Sequence, residues 1–70
     1  MNRNEKVACG LRMQRAKRRI SQRQLAEAID VNPSTISSWE TRGGVSIDDM
    51  WKLADFYECS LDELAGRKVS

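Results

Sequence analysis

Residues 21–40, SQRQLAEAIDVNPSTISSWE, constrain the fold more than any other stretch of this 70-residue chain. They carry two helix starts. Ser21 is a good N-cap, and Gln24 three residues later completes the pattern of a capping box. Asn32 is a second N-cap, followed by Pro33 at the first helical position, where a missing N–H costs nothing. The stretch therefore predicts two short helices, about Gln22–Ile29 and about Pro33–Glu40, with a tight turn at Asp30. Their apolar residues fit one buried wedge. Leu25, Ala26 and Ile29 share a face of the first helix, Ile36 and Trp39 share a face of the second, and Val31 plugs the corner. The second helix keeps a short, polar outer face of Ser34, Thr35, Ser37 and Ser38.

The flanking sequence is also helical. A helix is predicted from about Glu5 to Arg18, with a thin apolar stripe of Val7 and Leu11. Gly10 either weakens it or lets another backbone approach closely. Lys17, Arg18 and Arg19 suit its negative dipole end. After Glu40, Gly43 and Gly44 form a loop. Ser46 caps a fourth helix whose expected buried face is Ile47, Met50, Leu53, Ala54 and Tyr57. Ser60 and Glu63 box the start of a fifth, closed by Leu61 and Leu64 and stopped at Gly66. The expectation is an all-α domain of five short helices over residues 5–66, with flexible tails at 1–4 and 67–70.

Size and composition narrow the function. A chain this small buries only about 60% of the surface its unfolded form exposes, which leaves little room for an enclosed catalytic pocket. There is no histidine, and Cys9 and Cys59 stand alone, so neither a zinc site nor a nucleophile–base arrangement is expected. Spacing alone leaves one disulfide or two free thiols open. A reducing cytoplasm, the expected location, favours the thiols. The pairs Asp48–Asp49 and Asp62–Glu63 are explained as helix-start residues. No cofactor, metal or membrane segment is expected. The charge is polarised, although its net value is only +2. Residues 1–23 hold eight basic residues against one acid, and residues 24–70 hold four against nine. A basic end next to the helix pair points to a polyanion as partner.

Two crossed helices with a polar outer face on the second form the pattern of a helix-turn-helix. Beyond that pattern, the order and spacing of several pieces are specific. They are Leu11 to Arg15, Ile20 to Ala26, Val31 to Glu40, and Ser46 to Leu64 with its S-I-x-x-M-x-x-L-A and C-S-L-D-E-L segments. With these the chain resembles the lambda-repressor-like, Cro/C1-type (XRE) helix-turn-helix family over about residues 5–66. The resemblance implies a five-helix fold that binds double-stranded operator DNA, usually as a dimer, and mostly represses transcription. It implies that Gln22 touches a phosphate and supports the recognition helix. It implies an ion pair between Arg15 and Glu40. It also places Asn32, Pro33, Ser34, Ser37 and Ser38 at the base-reading positions. The chain departs from the family with Asp30 in place of a usual glycine, Gln14 in place of a leucine, and Phe56 in place of an alanine.

For the DNA reading, helix N-termini at Ser21–Gln22 and Asn32–Ser34 offer free N–H groups to phosphate. Arg12, Arg19, Arg23, Thr35 and Arg42 are the further candidate phosphate contacts. Serine and threonine discriminate bases weakly, so direct readout per half-site is expected to be modest. Trp51 and Phe56 are candidates for a dimer or partner patch, as aromatics off the buried face. A homodimer with so little surface is expected to be weak. A second class of function also stands on the sequence: a protein-binding, antitoxin-like co-regulator that holds another protein through its acidic C-terminal half.

Overall fold

The computed structural model describes residues 2–66, and each helix in it starts at a cap written in the sequence. The helices are α1 (Arg3–Lys17), α2 (Gln22–Ile29), α3 (Pro33–Arg42), α4 (Ile47–Tyr57) and α5 (Leu61–Leu64). Ser21 and Ser60 each sit in a complete capping box, with Gln24 and Glu63 returning the bond. Asn32 accepts from the Ser34 N–H and Ser46 from the Asp49 N–H. The expected all-α, five-helix architecture is therefore the one observed. The expected tail at 67–70 lies outside the described residues.

Three boundaries differ from expectation. α1 starts at Arg3 because Asn2 accepts from the Glu5 N–H, so residues 3 and 4 are helical rather than part of a tail. It ends at Lys17, with Arg18 as C-cap and Arg19 beyond it in the left-handed region at φ 54°. α3 continues past Glu40 to Arg42 and stops at Gly43, whose N–H returns to the Trp39 carbonyl.

The core gathers Leu11, Leu25, Ala26, Ile36, Trp39, Met50, Leu53, Ala54, Tyr57 and Leu64 from all five helices. Val31, Ile29 and Ile20 seal its edge, and Cys59 packs against it with a free thiol. Burial pushes the Cys59 thiol up, with the Glu63 charge adding to it. Ile47 is a correction. It was expected on the buried face of α4 but is 64% exposed, because the first helical residue projects past the end of the core. Gln14 is the other surprise. Standing where the family has a leucine, it is buried although polar, and its side-chain oxygen accepts from Arg18 at 2.7 Å. That guanidinium also donates to the Gln14 and Tyr57 carbonyls and lies 4.5 Å from the centre of the Tyr57 ring. Gly10 is where α5 meets α1. A Cβ there would stand 2.1 Å from the Leu64 carbonyl oxygen, so only glycine permits the approach.

No described helix is long and apolar enough to cross a membrane. Among the described residues no group of three or more cysteine, aspartate or glutamate side chains is placed to hold a metal ion.

Candidate nucleic-acid interface

The turn between α2 and α3 fixes how the outer helix is presented. Asp30 ends α2 in the left-handed conformation, at φ 58° and ψ 52°. Its N–H and that of Val31 both return to the Ala26 carbonyl, and the chain reverses within three residues. Aspartate tolerates this conformation better than most residues, at a cost that glycine would avoid. Asn32 then opens α3. Its side-chain oxygen accepts from both the N–H and the hydroxyl of Ser34, at 2.9 and 2.8 Å.

Glu40, near the other end of α3, is the fixed point of the unit. It is 3% exposed and carries three separate attachments. Arg15 donates Nε at 2.7 Å and Nη2 at 3.0 Å to the two carboxylate oxygens, a bidentate pair. Gln22, at the start of α2, donates its amide at 3.1 Å. Arg12 donates Nη1 to the Glu40 carbonyl at 2.6 Å. The hydrogen bond to Glu40 holds the Arg15 guanidinium above its usual range, against an opposing effect of burial. Arg15 also holds the Ile20 carbonyl, at 2.9 Å, so one side chain ties the ends of α1 and α3 to the α1–α2 loop.

With its inner face committed, α3 turns Ser34, Ser37, Ser38, Thr41 and Arg42 outward around a shallow concavity of about 370 Å³. All five are exposed. Thr41 was missed by sequence reasoning because the helix was ended at Glu40. Its one-turn spacing from Ser37, whose carbonyl accepts from the Thr41 hydroxyl at 2.8 Å, was the available signal. Pro33 is exposed at the helix start, and Thr35 is half-buried at the edge of the face.

A helix-turn-helix family model matches residues 11–64, most of the chain. The chain belongs to the XRE-type helix-turn-helix family. No curated protein and no solved structure matches it. The XRE-type module is a DNA-binding, non-catalytic one, and α2 with α3 is its helix-turn-helix.

Within this XRE-type domain the basic residues fall into two groups. Arg12, Arg15 and Arg18 spend donors on other parts of the protein. Arg19 and Arg42 are exposed and have no ion-pair partner among the described residues, whereas Arg23 reaches Glu27 at 3.6 Å in an exposed pair of little energetic weight. Gln22 is half-buried, with its amide nitrogen on Glu40. The structure does not bring Trp51 and Phe56 together. Both are exposed, at 55% and 39%, but five residues along one helix turn them about 140° apart around its axis. Phe56 rests against the Tyr57 ring, edge to face at 5.2 Å, while Trp51 shares its side of α4 with Ile47, one turn away.

Proposed function

We propose that this domain is a cytoplasmic transcriptional regulator, a repressor that reads a palindromic operator as a dimer. α3 enters the major groove. Ser34, Ser37 and Ser38 face the base edges, joined by Thr41, and the exposed Pro33 offers apolar contact at the helix start. Asn32 contributes less, because its oxygen already caps α3 and only its amide nitrogen is left to donate. Gln22, Arg19, Arg23 and Arg42 meet phosphate around this face, with Arg12 and Thr35 at its margin.

The observation that supports this reading is the contrast between the two faces of α3. Its inner face is locked by Arg15, Gln22 and Arg12 at a single buried glutamate, and its outer face is short, polar and unoccupied by any other described helix. Such a helix is rigidly aimed and can approach a groove floor closely. Short hydroxyl side chains give each half-site modest discrimination, so specificity requires two half-sites read together.

The test is selection of bound duplex from a random DNA pool at two salt concentrations. Recovery of a palindrome, with affinity falling steeply as salt rises, is the expected result. Weak binding without an enriched sequence overturns the operator reading and favours a role in holding another protein. Reporter transcription from the recovered site distinguishes repression from activation.

A further inference from the structure

A groove of about 630 Å³ runs between α1, α4 and α5. Its floor is apolar, made of Val7, Met50, Leu61 and Ala65. Beside it stands an exposed apolar ridge: Ile47 at the groove edge, 64% exposed, and Trp51 one turn along α4, 55% exposed. A ridge next to a groove is a shape that fits a copy of itself. A two-fold axis places each ridge in the other's groove.

The charges obey the same exchange. The groove is flanked by two cations, Arg3 and Lys6, against one acid, Asp62. The ridge is flanked by acids. Asp48 and Asp55 lie within about 60° of Trp51 around α4, and both are exposed. Neither these acids nor Arg3 and Lys6 have an ion-pair partner among the described residues. Under a two-fold operation the acid-flanked ridge of one protomer enters the cation-flanked groove of the other.

We infer that this ridge and groove form the contact between two copies of the chain, so that Ile47 and Trp51, rather than Trp51 with Phe56, are the apolar centre of the dimer. The inference rests on the dimeric operator reading and specifies its geometry. No residue of α2 or α3 lines the groove, so the contact leaves both recognition helices free. Ile47 follows the end of α3 by five residues, so the axis passes near the C-terminal ends of the two recognition helices. The domain measures 31 × 22 × 22 Å, so two copies side by side are on the scale of the ~34 Å that separates successive half-sites on one face of the duplex. The face offers roughly half the 20–30 residues a side of a standard interface, so the dimer is weak in solution.

Sedimentation equilibrium of the full chain over a wide concentration range, with DNA binding to whole and half operators, tests this. Trp51→Lys replaces an exposed side chain with a good helix former, which spares the fold and sets a cation against the partner's Arg3 and Lys6. It is expected to weaken dimerisation more than tenfold, while the helical circular dichroism and half-site binding are unchanged. Reversing Arg3 and Lys6 to glutamate weakens the dimer, and adding Asp48→Lys and Asp55→Lys to that variant restores it. A wild-type dimer that tolerates Trp51→Lys and both reversals overturns the ridge-and-groove contact and leaves the dimeric reading standing. A wild type that stays monomeric throughout, and binds a whole operator with no cooperativity, overturns the dimer itself.

Discussion

Replacing Tyr57 by phenylalanine should make this protein more stable. Tyr57 is 2% exposed, and its hydroxyl is a buried polar atom without a hydrogen-bond partner among the described residues. An orphaned buried donor costs about 1–3 kcal/mol. Phenylalanine removes it and keeps the ring, so the contacts with Arg18 and Phe56 survive. Taking the low end of that cost, the gain is about 1 kcal/mol, which for a domain this size raises Tm by roughly 4–8 °C. The pH dependence is a second, independent readout. Burial, and then the nearby Glu40 charge, push the Tyr57 hydroxyl up to about 12. The unfolded tyrosine ionises near 10. Between those values the unfolded chain has released a proton that the folded chain keeps, so the unfolded state binds fewer protons and stability falls as pH rises. The contribution is complete below about pH 10 and gone above about 12, and two pKa units correspond to about 2–3 kcal/mol. Tyr57→Phe lacks this loss. Urea unfolding followed by tryptophan fluorescence at pH 7, 9, 10 and 11 measures both effects. The variant should start ahead of the wild type and draw further ahead above pH 10. A variant less stable at pH 7 by 1 kcal/mol or more, or one that follows the wild-type slope above pH 10, would refute the reasoning.

Glu40→Ala should cost about 2–3 kcal/mol in chemical unfolding, because it strands Arg15 and Gln22; the cost stays below that of a fully buried pair since the Arg15 side chain is 24% exposed. Gly10→Ala should destabilise by about 2 kcal/mol or more, because the new methyl meets the Leu64 carbonyl and α5 must lift; an unchanged urea midpoint would contradict that contact. Asp30→Gly should stabilise by up to about 1 kcal/mol, read as a higher Tm, since glycine adopts the observed φ of 58° without a Cβ penalty. Arg12→Met separates two roles. If Arg12 mainly clamps the Glu40 carbonyl, DNA affinity falls while the slope of log affinity against log salt holds; if it neutralises a phosphate, the slope drops by about one.

The helix starts were legible because a cap is a local event. Ser21, Asn32, Ser46 and Ser60 each bond a backbone N–H within three residues, and a short window of sequence carries the whole interaction. Asn2 belongs to the same class and was passed over because it stands in a polar run. The outward face of α3 was readable up to Glu40, from the one-turn spacing of its serines. Thr41 was lost when the helix was ended before its stop signal, Gly43. Periodicity misplaced Ile47 because it reports a direction around an axis and nothing about whether the core extends that far along it. The clamp of Arg12 on Glu40 spans 28 positions, and that of Arg18 on Tyr57 spans 39, so no local pattern carries either. Gln14 and Arg18 are four apart, and that spacing already held half of the arrangement that buries a glutamine. Trp51 and Phe56 were paired by chemistry alone, and counting residues at 100° each would have separated them.

The approach of α5 to Gly10 also bears on synthesis. The first helix leaves the ribosome long before the four residues that must seat against it. At roughly 5–20 residues per second, α1 waits several seconds for Leu61–Leu64, and its surface at Gly10 stays uncovered until they arrive. A nascent chain therefore carries its recognition helix before it can close its own core. A stalled or shortened product that lacks Leu64 would leave the core open at Gly10, which favours proteolysis over folding.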